Sequence, residues 1–120
     1  MIDLMNLLPN HAEARIEISK LKDYCLNDKH PIGKFKSRVF RSALSISSKN
    51  ADFLKSEILK ALYSFESIET SSTEYGKRYI VDMIILNFDK DKRAEVRTAW
   101  IIPNDEENPK LISCYVKKML

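Results

Sequence analysis

The sequence predicts a single α+β domain, with N-terminal helices packed on one face of a C-terminal four-stranded antiparallel sheet. Three observations predict it. Apolar residues recur at helical spacing as far as Phe65 and then alternate or cluster in β-branched and aromatic stretches. The length, 120 residues, suits one core. With 44% hydrophobic and 31% charged residues, that core can form and its surface can be covered. Only two Gly and four Pro occur, no low-complexity linker is visible, and no segment repeats.

The elements follow in order. Ile2, Leu4, Met5, Leu7 and Leu8 open the chain as an apolar patch that Pro9 and Asn10 break. Ser19 can cap a short helix over 20–26, which puts Leu21, Tyr24 and Cys25 on one side. His30-Pro31-Ile32-Gly33 reads as a loop, because Pro31 pushes His30 out of helical geometry and Gly33 loosens the backbone. A helix over 34–44 comes next. Phe35, Val39, Phe40 and Ala43 form its apolar stripe, and Lys34, Arg38, Arg41 and Ser42 take the other faces. Asn50 is placed to cap a third helix over 51–65, with Phe53, Leu54, Ile58 and Leu62 inward.

After Phe65 the period changes. A short strand near 67–72 precedes the Tyr75-Gly76 turn. The stretch 77–88 is rich in Tyr, Ile, Val and Met and reads as a strand. A polar hairpin turn at 89–92 leads to a strand over 93–102, and an acidic loop at 103–109 leads to the last strand, 110–116. Alternation puts Val96, Thr98 and Trp100 on one face and Arg97, Ala99 and Ile101 on the other. Ser113 travels with Leu111 and Tyr115. Asp82, inside an apolar run, needs a wet face or a partner such as Arg78 or Arg97. Trp100 and Phe88 read as core.

The formal charge of +3, from 20 basic and 17 acidic residues, permits an anionic partner without demanding one. The charges are unevenly spread. Lys29, Lys34, Lys36, Arg38 and Arg41 cluster, whereas acids gather over 52–74 and 105–107. RNA is expected on the basic side. Cys25 and Cys114 show no CxxC spacing and no His-rich surroundings, so they read as two buried thiols rather than zinc ligands. No catalytic metal and no cofactor are expected. No stretch reaches the roughly 20 apolar residues of a membrane helix, and the opening residues lack a positive n-region. The expectation is a cytoplasmic protein without a membrane partner. With glycine only at Gly33 and Gly76, no Gly-rich phosphate loop is possible, and no GxSxG occurs.

Two sets of residues can carry chemistry. His30 lies in a loop before a basic helix, where an imidazole suits proton transfer and Lys34 and Lys36 can bring charge to a phosphate. Arg97, Thr98, Ser113 and Tyr115 lie on strands that should be neighbours, and their hydroxyls and guanidinium suit phosphate oxygens. The competing reading makes His30 a helix cap, the lysines a solvated face and the strand residues ordinary. His11 reads as a surface histidine.

LPN at 8–10, KLKDYCLN at 20–27, HPIGKFKSRVF at 30–40, TEYGKRYIVD at 73–82, VRTAWII at 96–102 and PKLISCYV at 109–116 follow one another in a fixed order. This set resembles a domain found as stand-alone bacterial proteins and at the C-terminal ends of polymorphic toxins. It is similar to the nuclease domains of contact-dependent growth inhibition toxins, which share the TAWI and LxSxYV strands. Ser45 stands where that pattern often has Gly. The resemblance covers nearly the whole chain and implies a barnase–EndoU–colicin–RelE-like fold. It also implies a metal-independent endoribonuclease toxin, in which a ribose 2′-OH attacks the adjacent phosphate. Its target would be RNA, with tRNA the expected substrate, and a cognate antitoxin or immunity protein would neutralise it. Carried over residue by residue, the pattern places His30 and Lys36 on the helix side of the site and Arg97, Thr98 and Ser113 on the sheet side. The alternative is a non-catalytic binding module on the same fold: an antitoxin, immunity or adaptor protein. A nuclease would gather these groups in one wet cleft; a binding module would scatter them.

Overall fold

The computed structural model describes residues 6–120, so Ile2, Leu4 and Met5 of the expected apolar patch lie outside the described residues. Leu8 sits in the core. The helices are α1 (Ile18–Lys20), α2 (Gly33–Leu44) and α3 (Ala51–Ala61), and the strands are β1 (Ser67–Thr73), β2 (Gly76–Asn87), β3 (Lys92–Pro103) and β4 (Lys110–Met119). Between α1 and α2 the chain widens into a π-helical turn, Leu21–Cys25. The strands pair antiparallel in the order β1-β2-β3-β4. α3 lies over β2, and α2 over β3 and β4. This is the α+β layout the change of period predicts.

The alternation rule sets the sheet faces. Val81, Met83 and Ile85 of β2 and Val96, Thr98 and Trp100 of β3 are buried. They pack beneath Phe40, Leu44, Leu54, Ile58 and Leu62 of the helical layer and its following turn. The register Val81↔Thr98 and Asp82↔Arg97 keeps like-facing residues opposite one another. β4 pairs with β3 through two irregularities, one of them between Ala99 and Trp100. Ser113 lies beside that bulge, opposite Ala99.

Several local expectations are corrected. The buried positions of α2 are Gly33, Ser37, Phe40, Ala43 and Leu44, while Phe35 and Val39 are 58% and 40% exposed. The reason is local. A Cβ on Gly33 would fall 2.0 Å from the Tyr24 carbonyl oxygen, so the start of α2 lies directly against the π-turn. The buried Ser37 hydroxyl donates to the Leu26 carbonyl at 3.2 Å. These contacts orient the helix so that a serine faces inward and a phenylalanine outward. α3 ends at Ala61 rather than Phe65, and Phe53, expected inward, is exposed while Ala51, Leu54 and Ile58 are its buried positions; α1 starts at Ile18, so Ser19 lies inside it. Phe88 is 82% exposed in the turn between β2 and β3, whereas Trp100 is core as expected. α2 stops at Ser45, whose φ of 55° is left-handed. The Ser45 N–H donates to Arg41 O and the Ile46 N–H to Phe40 O, which closes the helix end.

Candidate functional site

The π-turn, the loop after it and the first turns of α2 bring three side chains beside β4. Asn27 starts the loop, where its Oδ1 accepts the Lys29 N–H at 2.9 Å. His30 ends it. Its Nδ1 accepts the N–H groups of Ile32 at 3.0 Å and Gly33 at 2.9 Å, so the imidazole satisfies two donors at the head of α2. A ring nitrogen that accepts carries no proton, which places the proton of the neutral ring on Nε2. The His30 ring meets the Tyr24 ring edge-on, with centroids 4.8 Å apart.

Lys36 lies one turn further along α2. Its ammonium donates to Tyr24 OH at 3.0 Å and to Ser113 Oγ at 2.7 Å, and it stands 4.5 Å from the centre of the Tyr24 ring. Among the described residues Lys36 makes no ion pair. By contrast, Asp28 takes up Arg41 and accepts from Ser37, and Lys117 bonds Asp82. The half-buried Lys36 charge is therefore held in place by hydroxyls and pairs with no carboxylate among the described residues.

Behind this cluster are two free thiols, both buried. Cys25 Sγ lies 3.8 Å from Ser113 Oγ. The neighbouring Cys114 draws the Cys25 thiol down to about 6 against the upward push of burial, with help from Ser113 and the Lys36 charge. The same contact and full burial drive Cys114 upward.

Of the five residues expected at the site, His30, Lys36 and Ser113 come together, joined through Tyr24. Arg97 and Thr98 do not join them. Thr98 is 0% exposed; its hydroxyl donates to Val81 O and accepts from the Trp100 indole N–H, each at 2.8 Å. Both capacities are spent inside the core. Arg97 lies on the face away from the helices, where its Nε and Nη2 grip Asp82 at 2.9 and 3.0 Å. Neighbours along a strand project to opposite faces, so one phosphate cannot touch both. Tyr24 is the member that sequence reading passed over. Its place beside Leu21 and Cys25 marked it only as one side of a short helix. His11 lies elsewhere, its ring edge-on to Tyr63 at 4.7 Å.

Among the described residues, no group of three His, Cys, Asp or Glu side chains could hold a metal ion, and no helix is long and apolar enough to cross a membrane. Residues 7–118 match the family described as Domain of unknown function (DUF6883). No curated protein and no solved structure matches the chain.

Proposed function

We propose that this chain, which belongs to the DUF6883 family, is a metal-independent endoribonuclease of the toxin type. It would act on RNA in the cytoplasm, with tRNA the expected substrate, and be neutralised by a cognate antitoxin or immunity protein. One observation carries this reading: an ammonium paired with no carboxylate among the described residues, Lys36, is fixed between the hydroxyls of Tyr24 and Ser113, with the His30 imidazole against the same tyrosine.

The reaction divides among these groups. A ribose 2′-oxygen bonds to the adjacent phosphorus, the bond from phosphorus to the 5′-oxygen breaks, and a 2′,3′-cyclic phosphate remains. Lys36 meets the negative charge that builds on the phosphate oxygens, and Ser113 and Tyr24 donate hydrogen bonds beside it. His30 presents its Nε2–H as a hydrogen-bond donor to the charge that develops on the phosphate and the departing 5′-oxygen, while solvent water takes the 2′-OH proton and supplies the one the 5′-oxygen gains.

The test is incubation of the purified protein with tRNA and with unstructured RNA. The expected products end in 2′,3′-cyclic phosphate, their yield is unchanged by EDTA, and Lys36→Ala lowers the rate by roughly 10²–10³-fold. Intact RNA, or cleavage that EDTA abolishes and magnesium restores, overturns the proposal. A second reading, the non-catalytic binding module, is favoured by the scattering of Arg97 and Thr98 and by the capping duty of His30. It predicts intact RNA together with a stable complex with the product of the neighbouring gene. Toxicity on expression, relieved by that neighbour, supports the toxin.

A further inference from the structure

The sheet is apolar on both faces, and the described helices lie over one of them. Along β2 the buried positions alternate with Ile80 and Ile84, and along β3 with Ala99 and Ile101, all half-exposed on the face away from the helices. The unbroken register of these two strands sets Ile80 opposite Ala99. Ile68 of β1 pairs with Ile80 from the other side and is 66% exposed. An antiparallel sheet with one wet face alternates apolar with polar residues, whereas near-continuous apolar strands belong to sheets buried on both faces. β2 reads as the second kind, with Asp82 the one charged residue between Tyr79 and Leu86. Yet the molecule spans only 20 Å along its shortest axis, the depth of one sheet and one helical layer.

We infer that this face is the interface of a homodimer, in which the sheets of two copies pack back to back with Ile68, Ile80, Ala99 and Ile101 at the centre of the contact. The inference does not rest on the ribonuclease reading.

Charge selects a second copy as the occupant. The charged groups in the middle of the face neutralise one another. Asp82 holds Arg97 and Lys117, and Lys117 Nζ also stands 4.0 Å from Glu95. Two such faces meet without net repulsion, and an acidic or basic partner finds these groups already paired. α2 is the contrast. It carries Lys34, Lys36, Arg38 and Arg41 and no acid, which sets two copies of that face against each other.

Size points the same way. Strands of 7, 12, 12 and 10 residues, about 4.8 Å apart with about 3.4 Å per residue, give a face of roughly 650 Å². Two faces bury about 1,300 Å², inside the range of about 1,200–2,000 Å² for stable, specific interfaces. Arg97 and Tyr115, which pair across β3 and β4, border the apolar centre, and both residue types are enriched in interfaces. A twofold axis lying in the plane of contact lets the patch meet itself, as an isologous contact requires. Back-to-back sheets put the two helical layers on opposite outer sides, so each copy keeps its own α2 and Lys36 open.

The mass in solution is the test. Sedimentation equilibrium of the wild-type chain should give twice the mass of one copy, with a dissociation constant on the order of micromolar for an interface of this size. Ile80→Lys sets an unpaired ammonium at the centre and should weaken the dimer by roughly 100-fold. Ile68→Lys, at an exposed position on the edge strand and outside the core, should weaken it by roughly 10-fold. Phe35→Ser, exposed on the opposite layer, should leave the mass unchanged. A wild-type monomer at about 100 μM overturns the inference and leaves the face to an unlike partner. A dimer that both lysine variants preserve overturns it as well, and its loss in Phe35→Ser would assign the contact to α2. Where Ile80→Lys does not fold, as read by circular dichroism, Ile68→Lys decides alone.

Discussion

His30 does two separable things at the scale of one residue. Its Nδ1 caps α2, and its Nε2–H is left to donate a hydrogen bond to a ligand. Asparagine can take the first role, since its side-chain oxygen is a good acceptor for the head of a helix, but it is too short to place a donor where Nε2 lies. His30→Asn should therefore keep stability within a few tenths of a kcal/mol, whereas His30→Ala should lose about 1 kcal/mol in urea denaturation. Under the proposed ribonuclease reading both should lose RNA cleavage by roughly 10²–10³-fold. Full activity in His30→Asn would reduce the imidazole to a cap. The fates of Arg97 and Thr98 were already written in the alternation of β3, which sends the two to opposite faces. What alternation could not show was that the Trp100 indole would claim the Thr98 hydroxyl. Nor could it pair Lys36 with Ser113, 77 positions away, because only the docking of α2 on β4 joins them.

Among the elements, the strands were more legible than the helices. A strand side chain has two faces to choose from, and the apolar runs of β2 and β3 leave little doubt which is inward. A helix has many orientations, and α2 took one that hydropathy cannot reveal. Its inward face is set by Gly33, which has no side chain, and by Ser37, which is buried through a hydrogen bond. The π-turn was equally hidden, although it is what brings Tyr24 and Cys25 to β4. The end of α2 carries its own prediction. Ser45 holds a left-handed backbone that costs a residue with a Cβ roughly 1–2 kcal/mol, part of which glycine returns as unfolded-state entropy. Ser45→Gly should raise stability by about 0.5–1 kcal/mol, read as a higher urea midpoint with an unchanged slope. A lower midpoint would show that the serine side chain contributes more than the strain removes.

Over the whole molecule, the chain divides its charges between two sides of the sheet. On the helix side Lys36 pairs with no carboxylate among the described residues; on the far side Asp82 of β2 binds Arg97 of β3 and Lys117 of β4, so one carboxylate ties three strands. The Arg97 hydrogen bonds and then Lys117 hold the Asp82 carboxyl below its ordinary range, against the upward push of burial. A carboxyl depressed in the folded state adds stability above its unfolded value, near 4, and loses it as pH falls through the folded one. The pairs are partly exposed, so Asp82→Asn should cost only about 1 kcal/mol at neutral pH. That difference should shrink as pH drops below about 4, when the wild-type carboxyl protonates as well. A gap that persists at pH 2 would mean that the asparagine perturbs packing rather than charge.

The meander order of the sheet also has a consequence in time. The ribosome delivers α2 long before β4, and Ser113 reaches Lys36 only when the last strand is in place. At about 5–20 residues per second, 77 residues take roughly 4–15 s. During that interval the nascent chain displays its cations but has neither the hydroxyl nor the bulged strand that completes the cluster. The cluster on which the proposed ribonuclease reading rests is thereby incomplete beside the RNA-rich machine that makes the chain until synthesis has reached β4.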